Sequence, residues 1–227
     1  MNPLHIFIGM DERQPLAYTV CRSSIERHAS NRVLIEPLQL KFMPITRRGL
    51  TQFTFSRYLV PWLMHYHGQG VFMDADIVVR GDIYELADLA QRMDAPVSVV
   101  KGVHRFEWPS MMVFNNAKCK VLTPDFIEKD QPQKLNWAEK IGEMPREWNH
   151  CVGYDEPNPN AKLIHYTQGI PCWEETKDCE HSQAWMEEAQ YVMGTVSWYE
   201  LMGSSVHAEP VIKRLHSVGK GQQYKFQ

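Results

Sequence analysis

VFMDADIVV, residues 71–79, places two acidic residues among seven apolar ones. The run is short, rich in β-branched residues and bounded by Gly70 and Gly81, which is typical of a strand buried on both faces. Positions i and i+2 of such a strand point to the same side, so Asp74 and Asp76 are expected to lie close together. Their negative charges repel unless protons or a cation neutralise them. The stretch therefore predicts a parallel sheet with a site for Mg²⁺ or Mn²⁺, which bind carboxylate and phosphate oxygens.

A purely structural alternative exists for these acids. One aspartate would end the strand or fix the turn toward Arg80-Gly81-Asp82. A single aspartate would favour that alternative, whereas a D-x-D pair in so apolar a run favours the metal.

Length and composition restrict the class of protein. At 227 residues, 44% hydrophobic and 22% charged, the chain fits one globular domain. A formal net charge of −3 gives no reason to expect nucleic acid or an anionic membrane as partner. No apolar run is long enough to span a bilayer, and the N-terminus lacks a signal-peptide pattern. Five cysteines without a C-x-x-C pair predict reduced thiols and a cytoplasmic protein.

The N-terminal segment predicts a strand, a turn and a helix. The strand His5–Gly9 leads into a turn that contains Asp11 and Arg13, and helical periodicity follows from Pro15. A glycine turn before a helix N-terminus is a common nucleotide site, although an ordinary strand–helix turn is equally compatible. Asp11 is either the helix N-cap or an acceptor for a base N–H.

Three later segments carry polar residues at the ends of predicted elements. Residues 53–64 predict a helix that bends or restarts near Pro61, with Arg57 either a surface residue or a bidentate clamp on sugar or phosphate. Residues 111–116 predict a strand with a polar, site-facing end at Asn115. Residues 162–165 predict a strand that ends at His165, which is either structural or the third ligand of an octahedral Mn²⁺ site.

The C-terminal part predicts one helix and a basic end. Residues 182–201 have the periodicity of a packed helix. Lys213, Arg214, Lys220 and Lys225 follow in a basic tail, which is a candidate to close over an anionic donor. We therefore expect a core over residues 1–180 and a helix and tail over residues 181–227. A zinc site from Cys172, Cys179 and His181 does not have convincing spacing.

Several segments together resemble a glycosyltransferase of the GT-A fold, and are similar to family 8, the group that contains glycogenin and bacterial lipooligosaccharide galactosyltransferases. The similar segments, in the order that the family has them, are IFIGMD (6–11), SRYLVP (56–61), VFMDADIVVRGDI (71–83), FN (114–115), PREWN (145–149) and HYTQGIPCW (165–173). They cover roughly residues 4–173. The resemblance implies an α/β, Rossmann-like domain with a mixed, mainly parallel central sheet flanked by helices. It also implies a retaining transferase that uses a nucleoside-diphosphate sugar, usually a uridine one, a hydroxyl acceptor, and Mn²⁺ or Mg²⁺.

The resemblance also implies roles for individual residues. Asp74, Asp76 and His165 match the metal ligands, and Asp11 matches the position that meets the base. Arg57 and Asn115 match positions near the donor sugar, with Glu139 where an acidic residue is expected. The other expected donor contacts are Gly9, Arg13, Ala75 and Gly169.

Two features depart from the family pattern. The histidine motif of the family has a lysine before its final Pro-Trp, whereas this chain has Gly169-Ile170-Pro171-Cys172-Trp173. A diphosphate contact is therefore missing or supplied by another segment. The region of Glu139 also lacks the aspartate-centred pattern of the family.

Three alternatives compete with a transferase. A haloacid-dehalogenase-type phosphatase would match D-x-D-x-V with Asp74 as nucleophile, but that motif is expected close to the chain start. A sugar-phosphate nucleotidyltransferase would need a glycine-rich N-terminal phosphate loop, which the sequence lacks. An inactive transferase that binds nucleotide sugar without turnover is compatible with the missing lysine.

Overall fold

Two β-sheets form the framework of the protein, whose computed structural model describes residues 3–196 together with Leu201, Ser205, Ala208 and Glu209. The strands are β1 (Leu4–Gly9), β2 (Val33–Leu38), β3 (Gln69–Met73), β4 (Ile77–Val79), β5 (Val97–Val99), β6 (Met111–Asn115), β7 (Ile141–Glu143), β8 (His150–Cys151) and β9 (Leu163–His165). The helices are α1 (Pro15–His28), α2 (Val60–Leu63), α3 (Ile83–Met93), α4 (Pro124–Lys129) and α5 (Ser182–Thr195).

The larger sheet is mixed but mainly parallel. Its strand order is β2-β1-β3-β6-β5-β7, and only β6 runs antiparallel to its neighbours. The smaller sheet has the order β4-β9-β8. With helices packed against the strands, this architecture confirms the predicted α/β fold with a mainly parallel central sheet.

The central acidic stretch is not one continuous strand, contrary to the prediction. Strand β3 ends at Met73 in the larger sheet, and β4 begins at Ile77 in the smaller sheet, where it pairs antiparallel with β9. A buried sheet ladder offers no partners for two carboxylates, so the chain leaves the first sheet at the acids. Asp74 and Asp76 therefore lie in a turn between two sheets, which we call the acidic turn (residues 74–76).

Hydrophobic residues cover both faces of the larger sheet. Alternate residues of β1 and β3 point to opposite sides, as the period of a strand requires. Those on one face are Ile6, Ile8, Val71 and Met73, which pack with residues of α1, α3 and α5. Those on the other are Phe7 and Phe72, which pack with Phe53, Phe55 and Phe114. The apolar character of residues 71–73 therefore reflects burial on both sides, as predicted.

Because β6 runs antiparallel to β3, its first residue and not its last lies near the acidic turn. Met111 pairs with Met73, and Asn115 pairs with Gln69, four residues away along β3. Strand β5 ends at this same edge, because Val99 pairs with Met112. The connection from β5 to β6, residues 100–110, therefore begins and ends at the edge that carries the acidic turn. It includes a 3₁₀ helix over Arg105–Ser110.

The helices follow their sequence signals closely. Pro15 begins α1, and the Asp82 side chain caps α3 by accepting a hydrogen bond from the Tyr84 amide at 3.0 Å. The segment predicted to bend near Pro61 is a 3₁₀ helix, Ser56–Leu59, followed by α2. Among the described residues, no helix combines the length and the hydrophobicity needed to span a bilayer.

Helix α5 packs against α1 but ends at Thr195, earlier than the predicted Leu201. Arg27 Nη1 of α1 donates to Glu188 Oε2 of α5 at 2.7 Å, and Trp185, Ala189 and Val192 of α5 are buried. The four basic residues of the predicted tail lie outside the described residues. The division at residue 180 stays a prediction.

Candidate active site

The acidic turn and the end of β9 bring three predicted ligands together. Ile77 pairs with His165 in the small sheet, and the Tyr166 amide donates to the Asp76 carbonyl oxygen at 2.9 Å. His165 Nε2 therefore lies 3.3 Å from Asp76 Oδ1. One ligand atom from each of Asp74, Asp76 and His165 lies within 4.8 Å of the others. Two carboxylates and one imidazole form a donor set that Mn²⁺ accepts.

Arg57 is buried beside the acidic turn rather than exposed on a helix surface. Its Nη2 lies 3.0 Å from Asp74 Oδ1, and its Nη1 donates to the Pro109 carbonyl oxygen at 2.7 Å. Its Nε donates to the carbonyl oxygen of Phe53 at 3.2 Å, and the guanidinium carbon lies 4.7 Å from the centre of the Phe72 ring. These contacts fix the guanidinium as a counter-charge for Asp74.

The Asp74 carboxylate is only partly satisfied by Arg57. The 3.0 Å separation is that of an ion pair, but Asp74 Oδ1 has no hydrogen-bond donor with suitable geometry in the part of the chain that the structure describes. A buried carboxylate oxygen without a donor is unfavourable unless another group satisfies it. The acidic turn therefore fits a divalent cation such as Mn²⁺ or Mg²⁺.

The sequence interpretation missed Glu107. Its Oε2 lies 3.7 Å from His165 Nδ1, and Cys151 Sγ lies 3.9 Å from the same nitrogen. The imidazole thus has the acidic turn at Nε2 and a carboxylate within ion-pair distance of Nδ1, on the side from which a carboxylate orients metal-binding histidines. The one available signal was that Glu107 is the single acid in the segment His104–Ser110, which directly precedes the predicted strand of residues 111–116.

Burial and mutual charge shift the pKa values of these groups. Burial raises the pKa of Asp74 to about 6, with Arg57 opposing the shift and Asp76 adding to it. Burial also raises the pKa of Glu107, although the His165 charge opposes it. Burial lowers the pKa of His165, but the charge and hydrogen bond of Asp76 outweigh it and hold that pKa well above its ordinary value. The site therefore shares protons among closely placed acids and one imidazole.

The glycine turn after β1 lies beside the acidic turn. Because β1 and β3 are parallel and Ile8 pairs with Met73, both chains leave the sheet at the same edge. Asp11 Oδ1 accepts from the Arg13 amide at 2.9 Å, and Asp11 Oδ2 accepts from Arg13 Nη2 at 2.6 Å. Asp11 is not the N-cap of α1, which is Gln14.

Gly9 has a packing role that its turn signal did not reveal. A Cβ at this position would lie 2.5 Å from the Phe53 ring. The glycine therefore lets that ring pack directly on the end of β1.

The structure does not bring two predicted catalytic residues to the site. Asn115 is at the far end of β6, about 13 Å along the strand from the level of Met111 at roughly 3.3 Å per residue. Glu139 is exposed two residues before β7, and β7 begins opposite Val97, at that same distant edge. The prediction of a site-facing end at Asn115 is wrong because β6 runs antiparallel to β3.

The remaining predicted contacts follow site elements. Ala75 is buried within the acidic turn. Gly169 follows β9 with φ of 116°, a conformation that favours glycine, and its amide donates to the Tyr166 carbonyl oxygen at 2.8 Å.

An aromatic cluster stands next to Glu107 on the surface. The His104 ring lies 4.8 Å from the Tyr154 ring, and the Phe106 ring lies 6.0 Å from the Tyr154 ring, between centroids. Phe106 is 65% exposed, and Val103 nearby is also exposed. Exposed apolar groups beside a polar site often mark a contact surface.

Solved structures share this fold at low sequence identity. The WbbM bifunctional glycosyltransferase matches with a TM-score of 0.62 and 17% identity, over 94% of this chain and 52% of its own. The glycosyltransferase GlyE of Streptococcus pneumoniae TIGR4 matches with 0.61 and 16%, over 88% and 64%. The galactosyltransferase LgtC, in complex with donor and acceptor sugar analogues, matches with 0.59 and 11%, over 87% and 99%.

The chain thus spans about half of the WbbM chain, 64% of the GlyE chain and nearly all of the LgtC chain. These likenesses confirm the predicted GT-A fold. A GT-A fold does not support the alternative of a haloacid-dehalogenase-type phosphatase.

One curated protein is similar in sequence as well. Protein CDI of Arabidopsis thaliana is 33% identical to this chain over an alignment of 227 residues. The alignment covers 83% of this chain and 87% of that protein. No family model matches the chain. The chain therefore has the GT-A glycosyltransferase fold and belongs to the same family as Protein CDI.

Proposed function

We propose that the protein is a metal-dependent glycosyltransferase that moves a sugar from a nucleoside-diphosphate sugar, with UDP as the expected nucleotide, to a hydroxyl acceptor. The observation that carries the proposal is the convergence of Asp74, Asp76 and His165 at the sheet edge where β1 and β3 end. In open α/β sheets, ligands bind outside the carboxyl ends of the strands.

The residues of the site divide into three roles. Asp74, Asp76 and His165 Nε2 would hold Mn²⁺ or Mg²⁺, which would supply positive charge to stabilise a departing diphosphate. Arg57 holds Asp74 in place through its ion pair and its bonds to the Pro109 and Phe53 carbonyls. Glu107 orients the His165 ring from Nδ1.

The donor and acceptor approach from different sides in this proposal. The turn of Gly9, Asp11 and Arg13 lies where the nucleotide would bind, beside the acidic turn. The exposed aromatic cluster of His104, Phe106 and Tyr154 is our candidate for the acceptor side. The substitution Phe106→Ala is then expected to reduce transfer to an acceptor while donor hydrolysis is unchanged. Equal loss of both reactions would contradict this assignment.

The decisive experiment measures donor hydrolysis by the purified protein across a panel of nucleotide sugars, with Mn²⁺ titrated. Asp76→Asn should abolish the metal-dependent turnover without loss of fold. Asp88→Asn, an exposed aspartate on α3, is the matched control and should behave as the wild type. Equal Mn²⁺-dependent rates in wild type and Asp76→Asn would overturn the proposed role of the acidic turn.

A second candidate is a nucleotide-sugar-binding protein without turnover. It is favoured by the turn after β9, residues 169–173, which contains no lysine to contact a diphosphate. Ile170 and Cys172 of this turn are buried. A thermal-shift panel of nucleotides and nucleotide sugars, with and without Mn²⁺, separates the candidates, because a ligand that binds the folded state raises its stability. Specific stabilisation without hydrolysis or transfer would favour the binding protein.

The five free thiols fit a reducing compartment, and we propose the cytoplasm.

A further inference from the structure

A second cluster of metal-ligating side chains lies behind the small sheet. Cys151 of β8 faces His165, with 3.9 Å between Sγ and Nδ1. Successive residues of a strand point to opposite faces, so the preceding His150 points away from the acidic turn. There it meets Glu180 and His181, which lie just before α5. We call His150, Glu180 and His181 the rear cluster.

The geometry of the rear cluster is compact. His150 Nε2 lies 2.8 Å from Glu180 Oε2, and His181 Nε2 lies 3.2 Å from Glu180 Oε1. One ligand atom from each residue lies within 4.8 Å of the other two. The His150 side chain is 2% exposed and that of His181 is 11% exposed, so two imidazoles and a carboxylate converge at a largely buried point.

The surrounding chain holds these three residues in position. Glu180 Oε1 accepts from the Asn158 amide at 2.9 Å, and Tyr166 Oη donates to the His181 carbonyl oxygen at 2.9 Å. His181 itself has φ of 57°, a left-handed conformation that a non-glycine residue adopts only where surrounding contacts impose it. The cluster is therefore built by contacts from four separate segments and not by one flexible loop.

We propose that the rear cluster is a second metal site, selective for Zn²⁺ or a similar nitrogen-preferring ion and distinct from the acidic turn. Two imidazole nitrogens and one glutamate oxygen are a known three-residue zinc donor set. The acidic turn has two carboxylates and suits Mn²⁺ or Mg²⁺ better, so the two sites differ in metal preference. The ligand atoms of tetrahedral zinc lie roughly 3.3 Å apart. The two imidazole nitrogens lie 2.8 and 3.2 Å from the two oxygens of Glu180, and one ligand atom from each residue lies within 4.8 Å of the others.

Metal binding requires proton rearrangements at both His150 and His181. His181 Nε2 lies 2.9 Å from the Asn158 carbonyl oxygen, to which it donates, so its proton would have to move to Nδ1. A carboxylate only accepts hydrogen bonds, so His150 carries a proton on Nε2 while it contacts Glu180. Zinc needs that nitrogen unprotonated, with the proton on Nδ1 instead. Asp155 Oδ2 lies 4.0 Å from His150 Nδ1 and is the carboxylate that would accept from it, as in carboxylate–histidine–zinc arrangements. Asp155 is itself held by Arg146 and by the Cys151 amide.

A metal at the rear cluster would join β8 to the start of α5. Helix α5 packs on α1 through Glu188, and β8 carries Cys151 against His165. A bound metal would therefore fix the strand behind the acidic turn, and three protein ligands would leave its fourth position to water.

The test uses Co²⁺ as a spectroscopic substitute for Zn²⁺, titrated into the full chain in excess Mg²⁺ to occupy oxygen-rich sites. Wild type should develop one visible absorption band of tetrahedral type, which stoichiometric Zn²⁺ displaces. The substitution His181→Asn should weaken Co²⁺ binding about 10-fold or more, since even residues that only support metal ligands have effects of that size. Asparagine tolerates the left-handed conformation, so the backbone need not change.

Two matched variants show which site gives rise to the absorption band. His165→Asn removes the imidazole of the acidic turn, and His67→Asn removes an exposed imidazole elsewhere, so both should keep the band. Glu180→Gln provides a second test should His181→Asn lose its native circular dichroism, and it should also weaken binding. A band lost in His165→Asn and kept in His181→Asn would overturn the proposal. The absence of any band in wild type, with the rear cluster held by hydrogen bonds alone, would equally overturn it.

Discussion

Replacing Arg57 by methionine tests whether the acidic turn depends on its buried counter-charge. Methionine keeps an unbranched chain beside the Phe53 and Phe72 rings but removes the charge 3.0 Å from Asp74 Oδ1. It also removes the donor to the Pro109 carbonyl oxygen. The side chains of Arg57 and Asp74 are only 10% and 15% exposed, so water replaces little of what is lost.

The expected loss is about 3–5 kcal/mol in the free energy of unfolding, the usual effect of removing one partner from a buried ion pair. It should depend on pH. Burial raises the pKa of Asp74 to about 6, with Arg57 opposing that shift, so without Arg57 the pKa rises further. A carboxyl whose pKa is raised on folding stabilises the fold when protonated, and that stability is lost as pH rises through the folded pKa. The destabilisation should therefore be larger at pH 8 than at pH 5.

The assay is urea unfolding at both pH values, without added metal. Arg57→Met combined with Asp74→Asn should recover part of the loss at pH 8, because the orphaned charge is gone. The control is Arg22→Met, since Arg22 forms an exposed pair with Glu26 and such pairs contribute only about 0.3–0.5 kcal/mol. A loss within about 1 kcal/mol for Arg57→Met, or strict additivity in the double variant, would refute the reasoning.

Three further predictions concern stability and can be measured by denaturant unfolding. Gly9→Ala should lower the free energy of unfolding by about 1–3 kcal/mol because its Cβ would lie 2.5 Å from the Phe53 ring. Gly194→Ala, in open space on α5, should raise it by roughly 0.5–1 kcal/mol. Equal effects would contradict the packing role of Gly9. Asp82→Ala should lose about 1 kcal/mol, since it removes the cap of α3, and an unchanged midpoint would argue against it. Burial raises the pKa of Glu180, but its hydrogen bonds outweigh burial and hold that pKa below the ordinary value. The loss in free energy of unfolding caused by Glu180→Gln should therefore be full at pH 7 and shrink as pH falls below about 4.3. A loss that is constant from pH 7 to pH 3 would contradict this prediction.

Local patterns predicted most of the fold because each rests on neighbouring residues. The helix that begins at Pro15 and the restart near Pro61 both appear at the expected places. Burial on both faces of residues 71–73 follows from their apolar side chains. The clustering of His165 with the acidic turn was expected from the family resemblance, and the pairing of β4 with β9 provides it.

Strand direction and sheet membership could not be read from those patterns. An apolar run such as residues 111–115 is the same in a parallel or an antiparallel strand, so its site-facing end was placed at Asn115 instead of Met111. The break at residues 74–76 moves the chain from one sheet to another, and only long-range pairing decides that. The partners of Glu107 and Arg57, which are His165 and Asp74, are also distant in sequence, so local patterns could not predict these contacts.

The connection between β5 and β6 has an exposed first half and a second half that contacts the candidate site. Both strands are anchored by outer neighbours, β7 and β3, so their register does not depend on residues 100–110. Lengthening such a surface connection costs little, roughly 0.6 kcal/mol for each doubling of its length. Residues near the exposed Val103 and Phe106 can therefore vary among homologous chains, and with them the acceptor side that we propose. Glu107, Pro109 and Ser110 cannot vary so freely, because they contact His165, Arg57 and the Asp74 amide.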